Sequence, residues 1–394
     1  MPGHLMGVYN RAPLAFERGE GARLYGTNGE VYLDCVGGIA TDALGHCNPI
    51  LVKALTDQAN KLWHISNIYQ IPGQDELSDR LVSKSFADVV FFTNSGTEAV
   101  ECALKTCRKF HSANGDMDKI DIIGFDGSFH GRTYAAVNAA GNPSYTDGFG
   151  PKLPGYLQCK FGDMEMLASM MGPTTAGIII EPVQGEGGAR AVSDADLRKM
   201  RELCDQHGAL LIYDEVQSGM GRTGKLWAHE WSGVTPDIMA IAKALGGGFP
   251  IGACLATTEA AKGMIVGAHG STFGGNPLAM AVGIAAFDEI SSAKILDNVN
   301  EIAGYLNQQL TGLKDRFPEV IAEIRGKGLL VGVKLIPNNR EFMAIAREHN
   351  LLVAGGGDNL VRLLPPLNLT IDEAREAIQK FEEACETARQ KAAA

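Results

Sequence analysis

Five short apolar runs, each ending in polar residues, constrain this 394-residue chain more than any other feature. They are ADVVFFTNS (87–95), KIDIIGFDG (119–127), AGIIIEP (176–182), ALLIYDE (209–215) and PDIMAIAK (236–243). Continuous apolar runs of this length suit strands covered on both faces, as in a parallel sheet. Helical patterns lie between them. Ser193 followed by Asp196 opens one, and Gly208 closes it as a C-cap. Alternating strand and helix over residues 87–260 predicts an α/β core. The last hundred or so residues alternate less regularly and read as a smaller α+β unit, with Thr370 and Glu373 forming a capping-box pattern before its final helix. Near the start, RLYGTNGEVYLD is a hairpin candidate around Asn28-Gly29, expected to join that smaller unit.

Composition removes several functions. Lys and Arg number 35 against 46 Asp and Glu, a net charge of −11. That balance argues against a nucleic-acid partner, whose phosphates favour a basic face. It leaves room for a local basic pocket that takes a small anion. No apolar run approaches the ~20 residues needed to span a bilayer. The opening MPGHLMGVYNRAPLAF lacks both a signal and a transit pattern. The 8 cysteines form no C-x-x-C and are far too sparse for a disulfide scaffold, so reduced thiols are expected. These features fit a soluble, cytoplasmic globular protein with no membrane association.

In open α/β sheets, ligands bind beyond the carboxyl ends of the strands. The polar residues there are Asn94-Ser95-Gly96-Thr97-Glu98, Glu181-Pro182, Asp214-Glu215-Val216-Gln217 and Lys243. A lone acid at a strand end often serves only as a helix cap. Lys243 is more pointed, because it ends the apolar IMAIA and precedes Ala-Leu-Gly-Gly-Gly, which offers no bulk to cover it. A buried lysine is costly unless paired or neutral, and one so placed is a candidate for covalent chemistry with a carbonyl. Ser95 and Glu98 have capping-box spacing, and the helix they open presents free N–H groups toward the strand ends. Its N-terminus suits an anion, with Gly96 allowing close approach and Thr97 offering a hydroxyl.

Competing motifs fail on detail. GMGRTGKL (219–226) fits G-x-x-x-x-G-K but ends in Leu226, where a phosphate-binding loop needs Ser or Thr. Gly246-Gly247-Gly248 lacks the dinucleotide order, and no clustered Cys/His spacing supports a metal.

Taken in order, SGTEAVE, FHGRT (129–133), EPVQGEGG (181–188), DEVQSGMGRTGKL (214–226), PDIMAIAKALGGGFPIGA (236–253), GSTFGGNP (270–277) and VRLLPPL (361–367) resemble the class III, or ornithine-type, aminotransferases. These enzymes use pyridoxal 5′-phosphate (PLP), and the resemblance runs from about Tyr9 to the C-terminal helix. It implies a fold type I PLP transferase, with a mostly parallel central sheet in a large domain (49–286). A smaller α+β domain would form from residues 1–48 and 287–394. A homodimer with active sites at the subunit interface is also implied.

The implied roles fall on matching positions. Lys243 would attach the cofactor and then act as acid and base. Asp214 would accept a bond from the pyridine N–H. Val216 would pack on one ring face and Phe129 on the other, with Gln217 near the ring's phenolic oxygen. Ser95, Gly96 and Thr97 would hold the phosphate, and Thr272 would complete that cup from the neighbouring subunit. Arg132 would clamp the far carboxylate of either substrate, and Arg362 the second carboxylate of glutamate. Glu186 would hold Arg362 while the first substrate is bound, and Ser271 and Tyr9 would add contacts. The implied reaction moves the δ-amino group of N2-acetyl-L-ornithine to 2-oxoglutarate. Ornithine, succinylornithine, succinyldiaminopimelate and 4-aminobutyrate are alternative donors. An aminomutase or a PLP decarboxylase is a rival on the same scaffold.

Overall fold

The computed structural model describes residues 4–393. Its central sheet has seven strands: β1 (Val89–Thr93), β2 (Asp121–Phe125), β3 (Tyr156–Cys159), β4 (Thr175–Ile180), β5 (Leu210–Asp214), β6 (Ile238–Ile241) and β7 (Gly252–Ala256). They lie in the order β1-β7-β6-β5-β4-β2-β3. Pairing is parallel from β6 through β3, and β7 runs antiparallel to both its neighbours. All residues of β4, β5, β6 and β7 are buried, which is why these segments carry no polar alternation.

All five apolar runs form strands. The sequence reading missed β3 and β7. GACLA is built mostly of small residues and lacks the bulky pattern of a strand. It is needed there because a Cβ on Gly252 would lie 2.6 Å from the Ser95 carbonyl oxygen.

Helices cover the sheet. Helix Gly96–Ala113 crosses β6 and β7. Ser193 accepts from the N–H of Asp196, and Gly208, at φ 58°, closes the helix Asp194–His207. Both ends therefore lie where the sequence predicts them.

The termini build two smaller sheets. The Asn28-Gly29 turn joins strands Arg23–Gly26 and Val31–Asp34, with Tyr25 opposite Val31. Leu33 then pairs in parallel with Leu351, so the N-terminal hairpin shares a sheet with the C-terminal segment. Arg23 adds a two-point contact to Glu376 on the final helix, at 3.1 and 2.6 Å. The second sheet contains strand Leu360–Leu363, which brings Arg362 toward the central sheet. Among the described residues, no helix is long and apolar enough to cross a membrane.

Candidate active site

A cavity of about 430 Å³ opens where β1, β5 and β6 end. It gathers Ser95, Gly96, Thr97, Phe129, Arg132, Glu186, Asp214, Val216, Gln217 and Lys243. Ten residues chosen from sequence therefore share one hollow.

Lys243 follows β6 and enters a single 3-10 turn with φ at 43°, a left-handed conformation that a lysine adopts only under tertiary constraint. Its side chain is half-buried, and its amine has no hydrogen-bond partner among the described residues. Burial first, and then the nearby Arg362 charge, lower the amine to about 8 against the pull of Glu186, Asp214 and Glu181.

β5 delivers Asp214, buried at its end. One carboxylate oxygen accepts from the Val216 N–H at 3.0 Å, and the other lies 2.7 Å from His130 Nδ1. Burial opposes a charge on His130, yet the hydrogen bond and charge of Asp214 outweigh it and hold the imidazole above its ordinary value. Its Nε2 is buried without a partner among the described residues. Glu181 stands behind this pair and accepts the N–H groups of Phe129 at 2.9 Å and Gly185 at 3.2 Å. Burial, then the Asp214 charge, push the Glu181 carboxyl upward.

The helix start is tighter than a simple capping box. Ser95 Oγ accepts from the Glu98 N–H at 3.4 Å, but Glu98 turns back to the Asn94 N–H at 2.6 Å. A Cβ on Gly96 would lie 2.7 Å from Val216 Cγ1, so only glycine lets helix and valine meet. Thr97 Oγ1 sits 3.0 Å from Thr133 Oγ1 and accepts from the Arg132 N–H at 3.2 Å. The helix is thereby tied to the FHGRT loop.

Of the two arginines, Arg132 lines the hollow and Arg362 lies behind it, held to the lining residues Glu186 and Gln217. Arg132 is exposed, without an ion pair among the described residues, and its guanidinium lies 4.0 Å from the Tyr145 ring centre. Phe129 meets Tyr145 edge to face at 5.9 Å. Arg362 is buried and donates to Glu186 at 2.7 Å, to the Gly355 carbonyl at 2.6 Å and to Gln217 Oε1 at 3.3 Å. Gln217 is thus engaged through its oxygen.

Arg362, Ser271, Thr272 and Tyr9 do not line this cavity. Ser271 Oγ takes the Gly274 N–H at 2.9 Å and the Asn94 amide at 3.2 Å, so it braces the loop beneath the helix start. Thr272 and Tyr9 are exposed, Tyr9 beside Arg11.

Sequence reasoning passed over His130, Thr41 and Tyr145, and named Glu181 without a role. His130 stood inside FHGRT, and its partner could not be read there. Thr41 follows four residues, Gly37 to Ala40, that all have positive φ. Glu215, also named at a strand end, instead binds the Ala228 and His229 N–H groups at 2.6 and 2.9 Å. GMGRTGKL forms turns without a following α-helix, and Arg222 within it donates to the Pro365 carbonyl at 2.6 Å.

Known proteins match this chain along its length. The family described as aminotransferase class-III matches residues 7–385. Acetylornithine aminotransferase 2 of Caulobacter vibrioides is 72% identical over 393 residues, 99% of this chain and 97% of that one. N-acetylornithine aminotransferase from Stenotrophomonas maltophilia superposes with a TM-score of 0.86 at 38% identity, covering 98% of each chain. Ornithine aminotransferase from Toxoplasma gondii, with PLP at partial occupancy in its active site, gives a TM-score of 0.95 at 30% identity, covering 98% of this chain and 93% of that one. With the family spanning nearly the whole length and a relative 72% identical end to end, the chain belongs to the class III aminotransferases.

Proposed function

We propose that this protein is an acetylornithine aminotransferase. It moves the δ-amino group of N2-acetyl-L-ornithine reversibly to 2-oxoglutarate, giving N-acetyl-L-glutamate 5-semialdehyde and L-glutamate, as a step of arginine biosynthesis. The cofactor is PLP. The cavity fits it: a partnerless lysine, a locked carboxylate and a helix N-terminus converge there, with Val216 and Phe129 available for the two ring faces. When bound, the cofactor supplies an electron sink for the carbon that loses or gains the amino group.

The chain's own residues do the rest. Lys243, with its amine lowered to about 8, keeps a neutral fraction near neutral pH, so Nζ can take the proton from the amine-bearing carbon and return it. Asp214, fixed by His130 and the Val216 N–H, presents a buried carboxylate to a ring N–H. The N–H groups of Gly96 and Thr97 receive phosphate at the helix start.

The observation that carries the substrate reading is the Arg362–Glu186 pair at 2.7 Å, whose Glu186 lines the same cavity as Arg132, an arginine without an ion pair among the described residues. A donor with one distal carboxylate needs only Arg132, and Glu186 then neutralises Arg362. Glutamate carries a second carboxylate and needs Arg362 free for it. One cavity thus serves two substrates that present different amines. An aminomutase needs no separate dicarboxylate acceptor. Steady-state rates with acetylornithine, succinylornithine, ornithine and 4-aminobutyrate test the assignment. Acetylornithine should give the highest kcat/KM, and a clear preference for 4-aminobutyrate or ornithine would overturn it.

A homodimer in the cytoplasm belongs to the same proposal, as does a large domain of residues 49–286 beside a smaller one of 1–48 and 287–394. Support for the dimer comes from an exposed apolar surface. His64 meets the Phe273 ring at a 56° tilt with centres 5.1 Å apart, and Asn67 binds the Ser271 and Gly274 carbonyls at 3.0 and 2.9 Å, so two loops form one face. Trp63, Ile68, Tyr69, Ile265, Val266 and Phe273 are exposed on those loops. Thr272 lies among them, where it suits a partner's phosphate cup.

A further inference from the structure

The chain carries an excess of acids, yet one groove away from the catalytic cavity has four cationic residues along a mostly apolar floor. It has a volume of about 270 Å³ and is lined by Lys105, Arg108, Lys109, Lys119 and Ser112, with an apolar side that includes Met264 and Ala268, which border the Ile265–Val266 segment of the proposed dimer face. Lys105, Arg108, Lys109 and Ser112 fall at i, i+3, i+4 and i+7 of helix Gly96–Ala113, so one face of that helix supplies most of the polar groups. Lys119 approaches from the loop after the helix.

None of the four cations meets a carboxylate among the described residues. Lys105 lies 2.8 Å from His269 Nδ1. Arg108 donates to the carbonyls of Ile120 at 2.9 Å and Gly155 at 2.9 Å, while Lys119 donates to those of His207 at 2.7 Å and Gly208 at 3.0 Å. Lys109 has no side-chain partner among the described residues. Elsewhere on the surface lysines do find acids, as in Lys53–Asp57, Lys199–Glu202 and Lys262–Glu259. Cations near a helix C-terminus offset its dipole, which accounts for one or two of these residues. The same effect accounts for Lys119, whose partner carbonyls, those of His207 and Gly208, end the helix Asp194–His207. It does not account for a concave site whose lining holds no carboxylate in a protein of net charge −11.

We propose that this groove binds a small dianion, inorganic phosphate or a short dicarboxylate. Lys105 and Lys109 would supply the charge, Ser112 a hydroxyl, and Arg108 and Lys119 the fixed rim, because backbone carbonyls already hold those two in place. The site shares no lining residue with the catalytic cavity and is joined to its surroundings through two elements. Its helix is the one whose other end carries Gly96 and Thr97, and Lys105 contacts His269, two residues before Ser271.

Calorimetric titration of the PLP-loaded enzyme at low ionic strength tests this. Inorganic phosphate, succinate and chloride are the probes, and the cofactor absorbance is followed in parallel. The wild-type protein should bind phosphate or succinate saturably, at one site per chain, with the cofactor spectrum unchanged. Lys105→Gln with Lys109→Gln should weaken that binding by about ten-fold or more, since each lost unit charge near the ligand removes a Coulomb contribution. Lys294→Gln, an exposed lysine far along the chain, should leave it unaltered. Whichever dianion binds more tightly names the source, and either result supports the site. Equal affinity in the double variant and the wild type would overturn it, as would chloride binding as tightly as the dianions.

Discussion

Lys243 is a residue whose function works against the fold. Its folded value of about 8 lies below the 10.5 of a free lysine, so folding disfavours the charged amine relative to water. Below about pH 8 the lysine is charged in both states and its burial penalty is fully present. The penalty is relieved as pH rises from about 8 to about 10.5, where only the unfolded state still binds the proton. The whole shift corresponds to roughly 3 kcal/mol as an upper bound. Lys243→Ala should abolish turnover, and the apo variant should also be more stable than apo wild type at pH 7. That advantage should shrink above pH 8 and vanish near pH 10.5. Denaturant melts of both apoproteins across this range check it, and a variant less stable at pH 7 would refute the burial account. Arg132 makes a different point. Among the described residues it has aromatic neighbours and no acid partner, which leaves its charge for a ligand. Arg132→Lys should lower kcat/KM for both half-reactions, by about ten-fold or more, because one ammonium cannot reproduce a two-point clamp. Loss confined to the glutamate half-reaction would mean that the two arginine roles are exchanged.

Elements deliver these residues through their ends. Helix Gly96–Ala113 can start where it does only because residue 96 has no Cβ, and a Cβ there would meet Val216 Cγ1 at 2.7 Å. Gly96→Ala should therefore displace Val216 or the first helical turn, and raise the dissociation constant for PLP by about ten-fold or more, at a cost of 1–3 kcal/mol typical of overpacking. PLP titration of the apo variant reads this directly. By contrast Ser193→Ala, at a helix start remote from the cavity, should cost about 1 kcal/mol of stability and leave PLP binding unchanged. The contrast between the two helices marks what was legible in the sequence. Caps, the Asn28-Gly29 turn and five core strands follow from local rules, and strand-end logic brings the eye to Lys243, Asp214 and Thr97. β7 stayed hidden because its residues are small, and its burial depends on neighbours far away in sequence. The His130–Asp214 contact spans 84 positions, which no local pattern encodes. The left-handed run at Gly37 to Ala40 includes Ile39, a β-branched residue that local preference would never place there, so only tertiary packing selects it.

At the scale of the whole molecule, one cavity draws on most of the chain. Arg362, which reaches the cavity through Glu186, comes from a terminal sheet, Lys243 and Asp214 from the ends of central strands, and Thr272 lies outside the cavity at an exposed position. On the apolar face Ile68 is 80% exposed and Trp63 66%, large side chains for which a lone subunit offers no cover. If a second copy covers this face, Thr272 and its neighbours become part of that copy's phosphate site. Activity and association must then fall together. Val266→Asp with Phe273→Asp should shift the protein from dimer to monomer, because burying two carboxylates in an apolar interface without partners is strongly unfavourable. Sedimentation velocity measures the association state. PLP affinity and specific activity, taken at the same protein concentrations, measure the site. The expected result is a monomer with weakened PLP binding and little turnover, in which dilution of the wild type lowers specific activity along the same curve. Thr272→Ala provides the control that separates the two effects, since it should weaken PLP binding while leaving the dimer intact. A fully active monomer would show that each subunit completes its own site, and would remove Thr272 from the cofactor cup.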